Sequence, residues 1–178
     1  MRLVALLRGI NVGGKNKLPM KDLVAMFERA GCTNVAHYIQ SGNVVFDAPA
    51  SLAKKISSVI ESDIKRRAKL DVPVVIREAA HIKRVATSNP FTKEGKNEDF
   101  WHVVFLKDMP SKDLAALLDP NRSPGDRFVV RGEDVYLHCV SVAKTKLTNA
   151  FFDSKLKTVS TGRNWRTVLK LAEMCGES

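Results

Sequence analysis

Val35-Ala36-His37-Tyr38-Ile39-Gln40-Ser41-Gly42-Asn43-Val44-Val45-Phe46 is the stretch on which the reading of the fold turns. Two short runs rich in apolar, aromatic and β-branched residues flank Ser41-Gly42-Asn43, whose residue types suit a tight turn. Residues 35–39 and 44–46 therefore read as paired strands. Upstream, Met20, Leu23, Phe27 and Ala30 recur at helical spacing, with Pro19 suited to the helix opening and Gly31 to its end. Before them, residues 3–7 form the unbroken apolar run Leu-Val-Ala-Leu-Leu, as expected of a strand that is covered on both faces or central in a sheet. Downstream, Ser51 is a candidate N-cap for a long amphipathic helix with Leu52, Ile56, Val59, Ile60 and Ile64 on its apolar side. Residues 72–76 supply a last strand. The order β-α-β-β-α-β predicts a ferredoxin-like domain over residues 1–77, its helices on one face of an antiparallel sheet and its other face needing a cover.

Residues 78–178 read as a second α+β domain, expected to pack with the first because no long linker intervenes. A short helix over 78–86 precedes Asn89-Pro90-Phe91. Residues 101–106 read as a strand, Pro110-Ser111 open a helix, and residues 128–130 and 135–137 form a hairpin across Gly132 and Glu133. Two C-terminal helices follow, over 146–156 and 164–175, separated by a Thr/Ser/Gly linker. The element order echoes the first half without a repeat at the level of residues.

The chain has 178 residues, 44% hydrophobic and 27% charged, which is ordinary for a globular α+β protein with a sizeable core. No apolar stretch approaches a membrane span, and the opening run lacks the flanks of a signal peptide, so no membrane association is expected. Cys32, Cys139 and Cys175 are far apart, with no C-x-x-C spacing for a zinc ribbon or redox pair. Reduced thiols point to the cytoplasm. The net charge is +10, and residues 1–77 hold 13 Lys and Arg against 6 Asp and Glu, a surplus of +7. Such a surplus favours polyanionic or phosphorylated partners through long-range attraction; it also suits a merely solvated surface.

Three segments concentrate the candidate chemistry. Arg8-Gly9-Ile10-Asn11-Val12-Gly13-Gly14-Lys15-Asn16-Lys17 leaves a strand and precedes a helix. Its glycines permit backbone conformations in which N–H groups converge on an anion, with Arg8, Lys15 and Lys17 adding charge, and Arg8, Asn11, Gly13, Gly14 and Lys15 are the candidate ligand-binding residues. The segment nearly spells a Walker phosphate loop, but Asn16 stands where a Ser or Thr should bind magnesium, and Pro19 delays the helix. Ser41 and Asn43 read first as turn residues and second as polar lining for that loop. Lys146, Asn149, Arg163 and Asn164 lie in Lys144-Thr145-Lys146-Leu147-Thr148-Asn149 and Thr161-Gly162-Arg163-Asn164-Trp165, where basic and amide side chains at helix starts suit either anion binding or capping. His37, His81, His102 and His138 have no Cys or carboxylate partner at a diagnostic spacing, and no G-x-S-x-G occurs. No motif calls for a metal or a cofactor.

Together these segments, with Asn89-Pro90-Phe91, resemble the bacterial family catalogued as domain of unknown function 1697, over nearly the whole chain. Gly162 departs from the pattern, where a second Thr or similar polar residue is expected. The resemblance implies a ferredoxin-like first domain joined to a second α+β domain, and it brings no activity, cofactor or catalytic residue. The sequence supports a basic anion-binding protein, for nucleic acid or a phosphorylated ligand, that uses the Gly-rich loop. The alternative is an enzyme acting on a phosphate- or carboxylate-bearing small molecule in a cleft between the halves. Oligomeric state is left open.

Overall fold

The computed structural model describes residues 1–95 and 97–176. The chain divides into two compact units: residues 1–83 with the segment from 171, and residues 84–170. The first division lies a little beyond residue 77 and falls inside a helix. The second also falls inside a helix, so the C-terminal segment rejoins the first unit. There Arg2 Nη2 donates to the Met174 carbonyl at 3.3 Å.

The first unit runs β1 (Arg2–Leu7), α1 (Met20–Arg29), β2 (Thr33–Tyr38), β3 (Asn43–Asp47), α2 (Ala50–Ala53), α3 (Ile56–Ala68), β4 (Val74–Glu78) and into α4 (Ala79–Thr87). Its sheet has the order β2-β3-β1-β4 with every neighbouring pair antiparallel. Alternation along β1 sends Leu3, Ala5 and Leu7 into a core with Leu23 and Phe27 of α1 and Ile60 of α3. Phe27 and Phe46 lie 4.8 Å apart between ring centroids. Val4, Leu6 and Val45 point the other way and are also fully buried, so the sheet is covered on both faces. Ser51 is not an N-cap. Pro49 takes that place in an extended conformation, with its carbonyl accepting from Leu52 and Ala53 at 3.0 and 2.9 Å. The single long helix expected here is two, broken at Lys54 and Lys55.

The second unit follows with two 3-10 turns (Pro90–Glu94 and Glu98–Phe100), β5 (Trp101–Leu106), α5 (Lys112–Ala116), β6 (Arg127–Arg131), β7 (Asp134–His138), α6 (Asn149–Leu156), β8 (Ser160–Asn164) and α7 (Trp165–Met174). The Thr/Ser/Gly linker is a correction to the sequence reading: most of it is β8, a strand without apolar alternation. Ser160 Oγ donates to Asp153 Oδ1 at 2.6 Å, and Ser160 and Thr161 are buried. The helix expected from Lys146 begins at Asn149, where the Thr148 hydroxyl caps it by accepting from the Phe151 N–H.

With β8 in place, the second sheet reads β6-β7-β5-β8, again fully antiparallel, which is the first sheet's order repeated. The repetition extends to register. Val4 pairs with Val45 and Arg77 in one sheet, and Val103 pairs with Tyr136 and Arg163 in the other. Outside the ladders, Leu7 N–H donates to Gly42 and Arg8 N–H to Pro73, just as Leu106 N–H donates to Glu133 and Lys107 N–H to Val159. These matches make Leu7 equivalent to Leu106, Asn43 to Asp134, and Arg77 to Arg163. Among the described residues, no helix is long and apolar enough to cross a membrane.

Candidate functional site

The Gly-rich loop is a small hairpin. Gly13 and Gly14 have φ of 58° and 75°, and Lys15 N–H closes the turn on the Val12 carbonyl at 3.0 Å. Two successive positive φ values define a primed turn that few residues other than glycine adopt cheaply. Asn11 N–H donates to Asn16 O at 3.1 Å one step further down. Asn11 then anchors the hairpin: its Nδ2 donates to Leu18 O and to Gln40 O, both at 2.8 Å, while its Oδ1 accepts from Leu18 N–H at 2.8 Å. Asn16 Nδ2 reaches Gly9 O at 2.9 Å. Residues 12–17 are all exposed. Because α1 opens only at Met20, Lys15 is not at a helix N-terminus, and the Walker geometry is absent.

The bond from Asn11 to Gln40 joins the loop to the turn between β2 and β3. Gly42 is required there. Its φ is 81°, and an added Cβ would lie 2.7 Å from Leu7 Cβ. Ile39 also has a positive φ, 48°, and is 47% exposed. A β-branched residue in the left-handed region is an outlier that stores strain, and such strain gathers at functional surfaces. Asn43 is fully buried and clamps the turn from within, donating to Tyr38 O at 3.1 Å and Ser41 Oγ at 3.0 Å. Asn11 thus ties the loop that holds Arg8, Gly13, Gly14 and Lys15 to the turn that holds Ser41, with Asn43 buried in that turn. Asn11, Ser41 and Asn43 use their amides and hydroxyl to shape the backbone.

The four remaining candidates lie in the second unit. Lys146 is exposed, and its N–H donates to Ser123 Oγ at 3.1 Å. Asn149 opens α6, with its carbonyl accepting from Ser160 Oγ at 3.4 Å. Asn164 Oδ1 accepts from Thr167 N–H at 2.8 Å across the first turn of α7. Arg163 is buried in β8, and its Nη1 donates to Thr161 Oγ1 at 2.7 Å and Gly162 O at 2.8 Å. Burial draws its pKa down to about 10, which leaves it charged at neutral pH. Arg77 repeats the arrangement in β4, buried, with Nη1 on the Ile76 carbonyl at 3.0 Å. A guanidinium that reaches back to its own strand thus recurs at two equivalent positions. At Gly162 an added Cβ would meet Asn149 Oδ1 at 3.5 Å and Val104 Cγ2 at 3.9 Å, ordinary contacts, so glycine is not demanded there.

Sequence reading missed a basic cluster on the helical face of the first unit. Asp63 of α3 accepts from Arg66 Nη2 at 2.5 Å, Arg67 Nε at 2.9 Å and Arg29 Nη2 of α1 at 3.3 Å. Burial opposes ionisation of Asp63, but the three arginine hydrogen bonds outweigh it and hold the carboxyl below its usual range. The spacing of Asp63 to Arg66 and Arg67 was legible as helical neighbours; the arrival of Arg29 was not. Among the described residues, no group of three or more His, Cys, Asp and Glu could hold a metal ion. The three cysteines are free and buried, and burial raises each thiol, Cys32 to about 11.

The architecture defines an α+β protein with two antiparallel sheets of one topology, whose equivalent connections differ in length. The sequence matches the family described as Protein of unknown function (DUF1697) over residues 1–136, and the chain belongs to that family. A solved structure, that of the conserved bacterial protein SP0830 from Streptococcus pneumoniae, is similar with a TM-score of 0.70 and 22% identity, covering 98% of each chain. At that identity the likeness speaks for the fold. No curated protein matches the chain.

Proposed function

We propose that this protein binds a phosphate-bearing anion, nucleic acid or a phosphorylated ligand, at the edge of its first unit where the Gly-rich loop meets the turn at 39–42. One observation carries the reading. The second unit makes the equivalent connections with residues 107–111 and 132–133 alone, whereas the first uses 8–19 and 39–42. The scaffold therefore closes without the longer loop and the wider turn, and both elaborations lie side by side through Asn11. Their exposed tip presents backbone without side chains at Gly13 and Gly14, with Lys15 and Lys17 beside it, which suits close approach to phosphate oxygens. The strained, exposed Ile39 at the same edge fits a surface kept for contact rather than for stability.

The first unit's topology is, in the same reading, ferredoxin-like. Its support is the element order β-α-β-β-α-β with the antiparallel strand order β2-β3-β1-β4.

A thermal-shift screen against short oligonucleotides and phosphorylated metabolites, run at two salt concentrations, tests the proposal. A ligand at a hundred times its dissociation constant stabilises by about 2.7 kcal/mol, or roughly 5–10 °C for a chain of this size. The shift owed to this edge should be lost in Lys15→Ala, leaving a smaller one. A shift that fades with salt identifies a polyanion, and one that survives identifies a compact ligand. A Lys15→Ala protein that responds as the wild type does sinks the loop as the site.

A further inference from the structure

The Gly-rich loop ends at Lys17, and a groove begins there that the loop reading does not use. Lys17, Pro19, Asp22, Arg29 and Arg67 line a recess of about 370 Å³. Arg29 and Arg67 also form one wall of a larger recess of about 640 Å³ between α1 and α3, with Ser58, Ser62 and Arg66 around it and Met26 and Val59 as apolar lining.

The electrostatics of the larger recess are unusual for a mere link between helices. Holding α1 to α3 needs one guanidinium on Asp63, and exposed pairs of this kind contribute little stability. Here three arginines gather on a single carboxylate, which leaves a local charge of +2. Each uses one nitrogen on Asp63 and has further N–H donors on the same planar fork. Their side chains are between 44% and 70% exposed, so those donors border solvent in the groove. Asp63, only 12% exposed, sits beneath them and fixes their orientation. The equivalent helices of the second unit, α5 and α6, carry Lys112, Asp113, Asp153 and Lys155 and no arginine. The trio is therefore not a requirement of the scaffold.

We infer that the groove between α1 and α3 seats a phosphomonoester borne on a small molecule with an apolar body, gripped by Arg29, Arg66 and Arg67. Guanidinium forks match phosphate oxygens bidentately, which a lysine does not reproduce. A phosphomonoester dianion neutralises the surplus of +2, and Met26 and Val59 receive the apolar portion. The hydroxyls of Ser58 and Ser62 stand at the rim. This site uses different side chains from the loop and stands or fails without it.

The test is calorimetric titration of the full chain at pH 8 with phenyl phosphate, phenyl sulfate and inorganic phosphate. Saturable binding is expected for phenyl phosphate, weaker binding for inorganic phosphate because it lacks the apolar body, and weaker binding for phenyl sulfate because it is a monoanion. Arg66→Ala and Arg67→Ala should each weaken phenyl phosphate by about tenfold or more, and Arg67→Lys should recover only part of that loss. Lys144→Ala, which removes an equal charge from the second unit, should leave phenyl phosphate binding unchanged, and dependence on Arg66 and Arg67 rather than on Lys15 separates this site from the loop. Arg66 is 70% exposed, so its replacement does not threaten folding. Absence of saturable binding, or equal affinity in the arginine variants, overturns the inference. So does an oligonucleotide that displaces phenyl phosphate in an Arg66-dependent manner while binding far more tightly, because the phosphate would then come from nucleic acid.

Discussion

After β1 the chain takes residues 8–19 to reach its helix; after β5 it takes 107–111. Between β2 and β3 it turns over 39–42, with an isoleucine in the left-handed region; between β6 and β7 it turns over Gly132 and Glu133. The strands on either side are equivalent in order, register and even in the backbone bonds that close them. The units therefore share what a sheet needs and differ in what it does not need. In these two connections the surplus falls on the first unit, and the longer loop carries Arg8, Lys15 and Lys17; in the other two equivalent connections the second unit is the longer, with 117–126 and 139–148 against 30–32 and 48–49.

The largest effect should separate the two hairpin turns. Gly42→Ala adds a Cβ 2.7 Å from Leu7 and requires alanine at a φ of 81°. Left-handed strain and overpacking together should cost about 3 kcal/mol in urea unfolding. Gly132→Ala, whose Cβ would meet nothing nearer than Met109 at 3.8 Å, should cost about 1 kcal/mol, from its φ of 62° alone. Similar losses at the two sites would break the claim that the first turn is built around close approach to its strand.

Next comes the anchor of the loop. Asn11→Ala removes three hydrogen bonds of 2.8 Å and puts alanine at a φ of 54°, for a loss of about 2 kcal/mol. Amide exchange should accelerate through residues 11–18 and leave the second sheet unchanged. Acceleration across both units would contradict a local role.

Asp63 gives a smaller effect that depends on pH. Its folded pKa is depressed, so its stabilising contribution is present above the unfolded carboxylate value and is lost as pH falls through the folded value. Asp63→Asn should therefore be less stable than wild type near neutrality, with the difference shrinking in the acid limb below about pH 4. A difference that stays constant with pH would mean that the arginines do not hold Asp63 ionised. Smallest is Gly162→Thr on β8. Its new Cβ meets only ordinary contacts and a β-branched residue suits a strand, so stability should move by less than about 0.5 kcal/mol.

How far these differences could be read from the sequence follows from where the information sits. The first sheet was legible because Leu3 to Leu7 are uniformly apolar and α1 has a clear helical period. The second sheet lost a strand because Ser160-Thr161-Gly162-Arg163-Asn164 carries no apolar pattern; Ser160 donates to Asp153 and Arg163 Nη1 to its own strand, and neither is visible in spacing. Without β8 the repeat of the sheet could not be seen. Asn11, Gly13 and Gly14 stood out through the loop's composition. The work of Asn11 as a tie to Gln40, and the meeting of Arg29 with Asp63, depend on residues distant along the chain. Ser51 looked like a cap by residue type, but Pro49 opens the helix earlier and Lys54-Lys55 break it.

The central claim is that the first unit carries the anion-binding surface on a scaffold the second unit also possesses. Fluorescence anisotropy with a labelled oligonucleotide would compare two charge-matched variants, Lys15→Ala/Lys17→Ala and Lys144→Ala/Lys146→Ala. The account predicts that binding is lost in the first variant and retained in the second at the same ionic strength. Equal losses in both would mean that net charge alone draws the ligand, and retention in the first would contradict the account outright.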